Sequence, residues 1–310
     1  MKIGMIDVDG HNFPNIPLMK LSAWHKSKGD SVEWYQPLFS GRMDIVYMSK
    51  VFSFTPDYQY YIDADKIVRG GSGYAIQTIK GKEVYIKEND NDLPPEIEHI
   101  YPDYDLYPEL CKDKAFGFLT RGCPRGCDFC HVKCKEGQQS RKVADLSEFW
   151  KGQKEIVLCD PNLIACPEWK DLLQQLIDSH AKVDINQGLD IPLMTGEKAD
   201  LIRQIRVESV HFAWDRYQDK DIIVPRLKEF KEITQWGSRK TSVYVLTNFD
   251  TTIEQDLERI YTLREMDFDP YVMIYGKETT KSTDPVRRLQ RWVNNKRIFK
   301  STKSFEEYKA

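Results

Sequence analysis

Apolar and polar positions divide the chain into two rhythms. From residue 106 onward, six short β-prone runs recur at 115–120, 155–159, 182–185, 209–214, 242–246 and 271–275, separated by stretches long enough for helices. Two of those stretches, 167–179 (PEWKDLLQQLIDS) and 252–266 (TIEQDLERIYTLREM), carry apolar residues at helical spacing. Strand alternating with helix predicts parallel pairing with right-handed crossovers. Six such units predict an α/β architecture, a partial (β/α)6 TIM-like barrel over 106–282, with reactive groups where strands end and loops begin.

The first 105 residues read differently. An apolar strand at 2–8, a helix at 17–28 and β-rich segments at 31–35, 44–52 and 66–69 run into the turn Gly70-Gly71-Ser72-Gly73. This order predicts a small Rossmann-like domain with an open parallel sheet. The segment 88–107, rich in acids, Pro and Tyr without a lasting period, reads as a connector. The expected domains are therefore 1–105, 106–282 and a helical extension, 283–310.

Composition narrows the chemistry. The formal charge of -3, from 45 Lys and Arg against 48 Asp and Glu, gives no global reason to expect nucleic acid or an anionic membrane as partner. No run is long and apolar enough to span a bilayer, and the opening MKIGMIDVDG starts a strand pattern without a signal-peptide hydrophobic region. A cytoplasmic protein is expected. Seven cysteines, an odd and clustered set, suit reduced metal ligands better than a disulfide framework.

After the first strand of the barrel region the chain reads Thr120-Arg121-Gly122-Cys123-Pro124-Arg125-Gly126-Cys127-Asp128-Phe129-Cys130, a C-x3-C-x2-C spacing. Cysteine thiolates are the usual ligands of iron-sulfur clusters, and three of them on four irons leave one iron open. An open iron can bind a cofactor and pass it an electron. Gly122 and Gly126 would let the loop fold tightly around a cluster. A zinc site is the alternative, with His131 or Cys134 as fourth ligand. Cys111, Cys159 and Cys166 lack paired spacing and read as small core or surface residues, the last two being weak candidates for an auxiliary site.

The motif, with the aromatic Phe129 before its last cysteine, resembles the hallmark of the radical S-adenosylmethionine (SAM) superfamily. That resemblance implies a 4Fe-4S cluster on Cys123, Cys127 and Cys130, SAM chelating the unique iron, and an external electron donor such as flavodoxin or ferredoxin. It further implies reductive cleavage to methionine and a 5′-deoxyadenosyl radical that takes hydrogen from an unidentified substrate.

The resemblance also points to strand ends as the SAM-binding groups. The second strand ends in Asp160-Pro161-Asn162, at the family position that binds the SAM amino group, with Asp160 the first choice there; the family's usual Gly-Gly-Glu is absent. Asn186, Gln187 and Asp190 follow the third strand and suggest a pocket rim. Asp215 and Arg216 end the fourth, where Asp215 suits a ribose hydroxyl; Asn248 ends the fifth, near the region that contacts adenine. His211, among apolar neighbours, reads as a hydrogen-bonded core histidine before a catalytic base.

The order of Rossmann-like unit, glycine turn, linker and cluster motif resembles the superfamily branch with an N-terminal cobalamin-binding domain. Its D-x-H-x-x-G motif survives only as Asp9-Gly10-His11-Asn12-Phe13-Pro14. A cobalamin-dependent methyltransferase is one alternative that follows, and a non-catalytic iron-sulfur or zinc module is another. Arg287, Arg288, Arg291, Trp292, Lys296 and Arg297 form a basic segment able to contact RNA, but an amphipathic closing helix with Leu289, Trp292 and Val293 inward takes precedence.

Overall fold

The computed structural model describes residues 1–10, 12–79 and 82–309. The chain divides into two compact units, one of residues 1–118, 122–138 and 143–156, the other of 119–121, 139–142 and 157–310. The cysteine loop and the segment 106–118 thus group with the first unit, and the 283–310 extension groups with the second.

In the first unit β1 (Lys2–Asp7), β2 (Ser31–Trp34), β3 (Met43–Ser49) and β4 (Ala64–Gly70) form a parallel sheet in the order β2-β1-β3-β4. The helix Ile16–Ser27 joins β1 to β2; Asn15 caps it by accepting from the Leu18 amide, and Pro17 suits its first turn. The helix buries Leu18, Met19 and Leu21, and Ile6, Tyr35, Met43, Val46 and Met48 form a second apolar cluster on the sheet. A hairpin of β5 (Ile76–Ile79) and β6 (Lys82–Tyr85) follows.

Strand order reverses on the two sides of β1, the arrangement in which open α/β sheets take ligands at the carboxyl ends of their strands. Here the chain's own groups bond to one another at those ends, beside a cavity of about 370 Å³ lined by Asp7, Gly10, Trp34, Leu106 and Tyr107. The Asp9 carboxylate accepts from the Val51 amide (2.5 Å), the Phe52 amide (3.3 Å) and the Thr55 hydroxyl (2.7 Å). Gly71, at φ +95°, lies so close that a Cβ would sit 2.4 Å from the Lys50 carbonyl oxygen. The segment expected to be a mere connector is tied down as well. Tyr107 donates to Asp7 (2.7 Å), the Trp34 indole donates to the Leu106 carbonyl (3.2 Å), and Asp103 accepts from Ser22 (2.5 Å) and Lys26 (2.7 Å).

The remaining strands are β7 (Lys114–Gly117), β8 (Thr120–Arg121), β9 (Arg141–Lys142), β10 (Glu155–Leu158), β11 (Lys182–Ile185), β12 (Val207–Ala213), β13 (Thr241–Thr247) and β14 (Asp269–Ile274). Six of them make one sheet in the order β14-β13-β12-β11-β10-β7, and the pairs from β11 to β14 are parallel. Each of the six apolar runs overlaps one of these strands, and the six lie side by side in chain order, with β8 and β9 paired apart from them.

The two faces of this sheet differ. Val183, Val210, Phe212, Val243, Val245 and Val272 are buried, while the residues that alternate with them are Asp184, Ser209, His211, Ser242, Tyr244, Tyr271 and Met273. Helices cover the first face: Phe230 of the helix Lys220–Thr234 meets Phe212 edge-on at 4.9 Å, and Leu289, Trp292 and Val293 of Pro285–Asn294 cluster with Val272. The basic C-terminal segment is therefore a closing helix with its apolar stripe on the sheet. Among the described residues, no helix is long and apolar enough to cross a membrane.

Candidate functional site

The cysteine loop grows from a short antiparallel stem, in which Thr120 pairs with Lys142 and Arg121 with Arg141. Asp160, at the end of β10, holds one side of that stem. Its carboxylate accepts from the Leu119 amide (3.1 and 3.2 Å), the Thr120 amide (2.5 Å) and the Thr120 hydroxyl (2.6 Å). Asp160 is only 1% exposed. Burial pushes its carboxyl up to about 6, against the opposing pull of the Thr120 and Leu119 hydrogen bonds. The residue expected to face the SAM amino group thus spends its oxygens on the base of the loop. Ser140, in the returning strand, donates to the Asn162 carbonyl (2.9 Å), and the Asn162 amide donates to Asp190 (3.1 Å).

Within the loop, Gly122 and Gly126 take φ +87° and +59°, conformations that side-chain-bearing residues avoid. The Gly122 amide donates to Glu136 (3.0 Å), the Cys123 amide to the Gly137 carbonyl (3.2 Å) and the Cys130 amide to the Cys127 carbonyl (3.1 Å). Cys123, Cys127 and Cys130 are half-buried, and Phe129 stands beside the last of them. Cys111, Cys159 and Cys166 are buried instead, and burial pushes their thiols up to about 12, 12 and 11. Thiolates are the metal-binding form, so these three buried thiols are poor donors. Among the described residues no three His, Cys, Asp or Glu side chains converge as ligands of one metal ion. An iron-sulfur cluster makes a different demand, because its thiolates bind separate irons.

The ends of β12 and β13 are held by a residue that sequence reasoning passed over. Arg259, 0% exposed on the helix Ile253–Glu265, donates to the carbonyls of Trp214 (2.5 Å), Asp215 (2.9 Å) and Leu246 (2.8 Å) and pairs with Asp256 (2.5 Å). Burial raises the Asp256 carboxyl, while Thr251 and Arg259 pull it down. The only sequence signal was an Asp and an Arg three residues apart on a helix whose inward face is otherwise apolar. Asp215 itself sits at the end of β12, where Arg259 fixes its backbone, and Arg216 turns to Asp219 (3.2 Å). Asn248, at φ +64°, donates to the Tyr275 carbonyl (2.9 Å) and so joins the loops after β13 and β14.

The uncovered face of the six-stranded sheet carries a cavity of about 490 Å³. Of the predicted residues it gathers Asn186 and Gln187, but not Asp160, Asn162, Asp215 or Asn248. Its centre is His211, whose ring nitrogens lie 2.5 Å from Ser242 Oγ and 3.1 Å from Ser209 Oγ and whose ring stacks on Tyr244 at 5.3 Å. Burial lowers the His211 pKa, with Asp184 opposing, so the ring favours its neutral form. Gly188, at φ +92°, lets the loop after β11 settle on this strand, where the Leu189 amide donates to the His211 carbonyl (2.7 Å).

At the carboxyl ends of the first unit's sheet, Asp7, Gly10, Trp34, Leu106 and Tyr107 line a cavity of about 370 Å³. His11, the candidate cobalt ligand, lies outside the described residues. No family model matches this sequence, and no curated protein is similar to it.

Proposed function

We propose that the chain is a radical SAM enzyme in which the thiolates of Cys123, Cys127 and Cys130 hold a 4Fe-4S cluster with one open iron. The observation that carries this reading is the position of the trio. A C-x3-C-x2-C loop with two left-handed glycines leaves a stem that directly follows the first strand of a parallel sheet laid down in chain order. Sequential order with crossovers of one hand keeps helices on one face and favours curling about the other, which supports the partial-barrel reading. With its cluster bound, such a site would take an electron from a donor such as flavodoxin or ferredoxin and split SAM to methionine and a 5′-deoxyadenosyl radical.

The chain's own residues then have separate tasks. Asp160 and the β8–β9 stem position the loop; Glu136 and Gly137 hold its first turn. Arg259 fixes the strand ends that carry Asp215, the residue proposed to meet the SAM ribose; Asn162 and Asn248 tie neighbouring strand-end loops together, and Asn186 lies on the cavity. A cytoplasmic location belongs to the same proposal, since a cluster of this kind needs reducing surroundings.

The reading is tested by metal analysis after oxygen-free purification. Iron and acid-labile sulfide in equal amounts are expected, lost together in Cys127→Ala. Zinc with little iron would overturn the reading and favour a zinc-stabilised module.

A further inference from the structure

Parallel sheets are ordinarily covered on both faces, and their strands are then apolar throughout. Strands β11 to β14 of the six-stranded sheet depart from that rule on one side only. Tyr271 and Met273 are 42% and 47% exposed on the edge strand, while their neighbours Val272 and Ile274 are buried. A half-wet face of hydroxyls, amides and rings adds nothing to the core. A ligand is the natural reason to keep it.

The cavity on this face has a direction. Near the carboxyl end of β11 stand the amides Asn186 and Gln187. Across the middle run three rings on three neighbouring strands, His211 stacked on Tyr244 and Tyr244 edge-on to Tyr271 at 5.7 Å. At the amino ends of β13 and β14 stand Ser238, Arg239, Lys240 and Asp269. Asp269 is neutralised by Lys296 at 2.8 Å, and Lys240 lies over the Trp236 ring, so the net charge at this end is positive. His211, held between two serines, adds a fixed neutral surface.

We propose that this cavity binds a mononucleotide as the enzyme's substrate. Its base would lie against the His211–Tyr244–Tyr271 rings with its edge on Asn186 and Gln187, and its phosphate would lie against Arg239 and Lys240. Amides read base edges, aromatic rings take base faces, and Arg and Lys take phosphate. The volume suits a small molecule of this size. The substrate role rests on the radical SAM reading, whereas the binding does not.

Equilibrium titration of the full chain with each ribonucleoside 5′-monophosphate, the matching nucleosides and inorganic phosphate tests the assignment. At least one monophosphate should bind, with its nucleoside about tenfold weaker, the strength of a charge-assisted contact. Arg239→Ala with Lys240→Ala should erase that preference, and Tyr271→Ala should weaken monophosphate and nucleoside alike. Cys127→Ala, which removes a cluster ligand, should lose SAM cleavage yet bind as tightly as the parent; a parent chain that binds the monophosphate but leaves SAM intact would sink the radical reading and spare the site. Absence of monophosphate binding, binding indifferent to these substitutions, or displacement by SAM with the same dependence on Arg239 and Lys240 would overturn the site and leave the cleavage reading standing.

Discussion

The molecule contains two parallel sheets, and they engage their polar groups differently. The four-stranded sheet has the order reversal that elsewhere opens a ligand crevice, and there hydrogen bonds and close backbone packing tie down Asp9, Gly71, Trp34 and Tyr107 beside a cavity of about 370 Å³. The six-stranded sheet has no reversal, yet one of its faces stays polar and partly exposed, and the cysteine loop follows its first strand. Strand order alone does not separate the two; what differs is which polar groups the chain already ties down at the sheet's end.

Substitutions sharpen this contrast by separating groups that hold the fold from groups held in readiness. The largest effect is expected at Arg259. Arg259→Met leaves Asp256 as a buried, uncompensated charge and three carbonyls unmet, and should cost about 3–5 kcal/mol in urea unfolding. Adding Asp256→Leu should recover much of that loss, because the stranded charge goes with it.

Asp160→Asn should cost about 2 kcal/mol at neutral pH, since an amide cannot accept all the bonds the carboxylate accepts. Its pH dependence has a definite sign. The folded carboxyl holds its proton up to about 6, against an ordinary value of 3.8, so the folded chain carries the extra proton between those limits. Stability of the parent should fall as pH rises through that window, and the slope should be missing in Asp160→Asn. Unfolding curves at several pH values check both.

Tyr107→Phe removes one hydrogen bond to Asp7 at the end of the four-stranded sheet and should cost about 1 kcal/mol. Tyr271→Ala, on the open face, should change stability by less than about 0.5 kcal/mol. Equal losses at these two tyrosines would erase the distinction between a side chain tied into the sheet end and one on an open face.

Much of the fold was legible because both rhythms are local. All six apolar runs hold strands, and the helices Trp169–Ser179 and Ile253–Glu265 lie within the amphipathic stretches that predict them. The site was legible less evenly. Cysteine spacing and paired glycines announce the loop, but the two-residue strands that close its stem are too short to carry a period. The roles of Asp160 and Arg259 depend on amides and carbonyls distant in sequence, and no pattern in residue types encodes which backbone groups lack partners. His211 shows the remaining gap. Its apolar sequence neighbours belong to the buried face, while strand alternation turns His211 itself toward Ser209, Ser242 and Tyr244. The connector 88–107 lacks periodicity because single side chains such as Asp103 and Tyr107 anchor it, not a repeating face.

The most direct measurement is the formation of 5′-deoxyadenosine from SAM by the anaerobically reconstituted full chain after dithionite reduction. The account predicts deoxyadenosine and methionine in equal amounts, and none from Cys127→Ala. A reconstituted protein with a reducible iron-sulfur chromophore that leaves SAM intact, or a Cys127→Ala chain that cleaves it at the parent rate, would contradict the account.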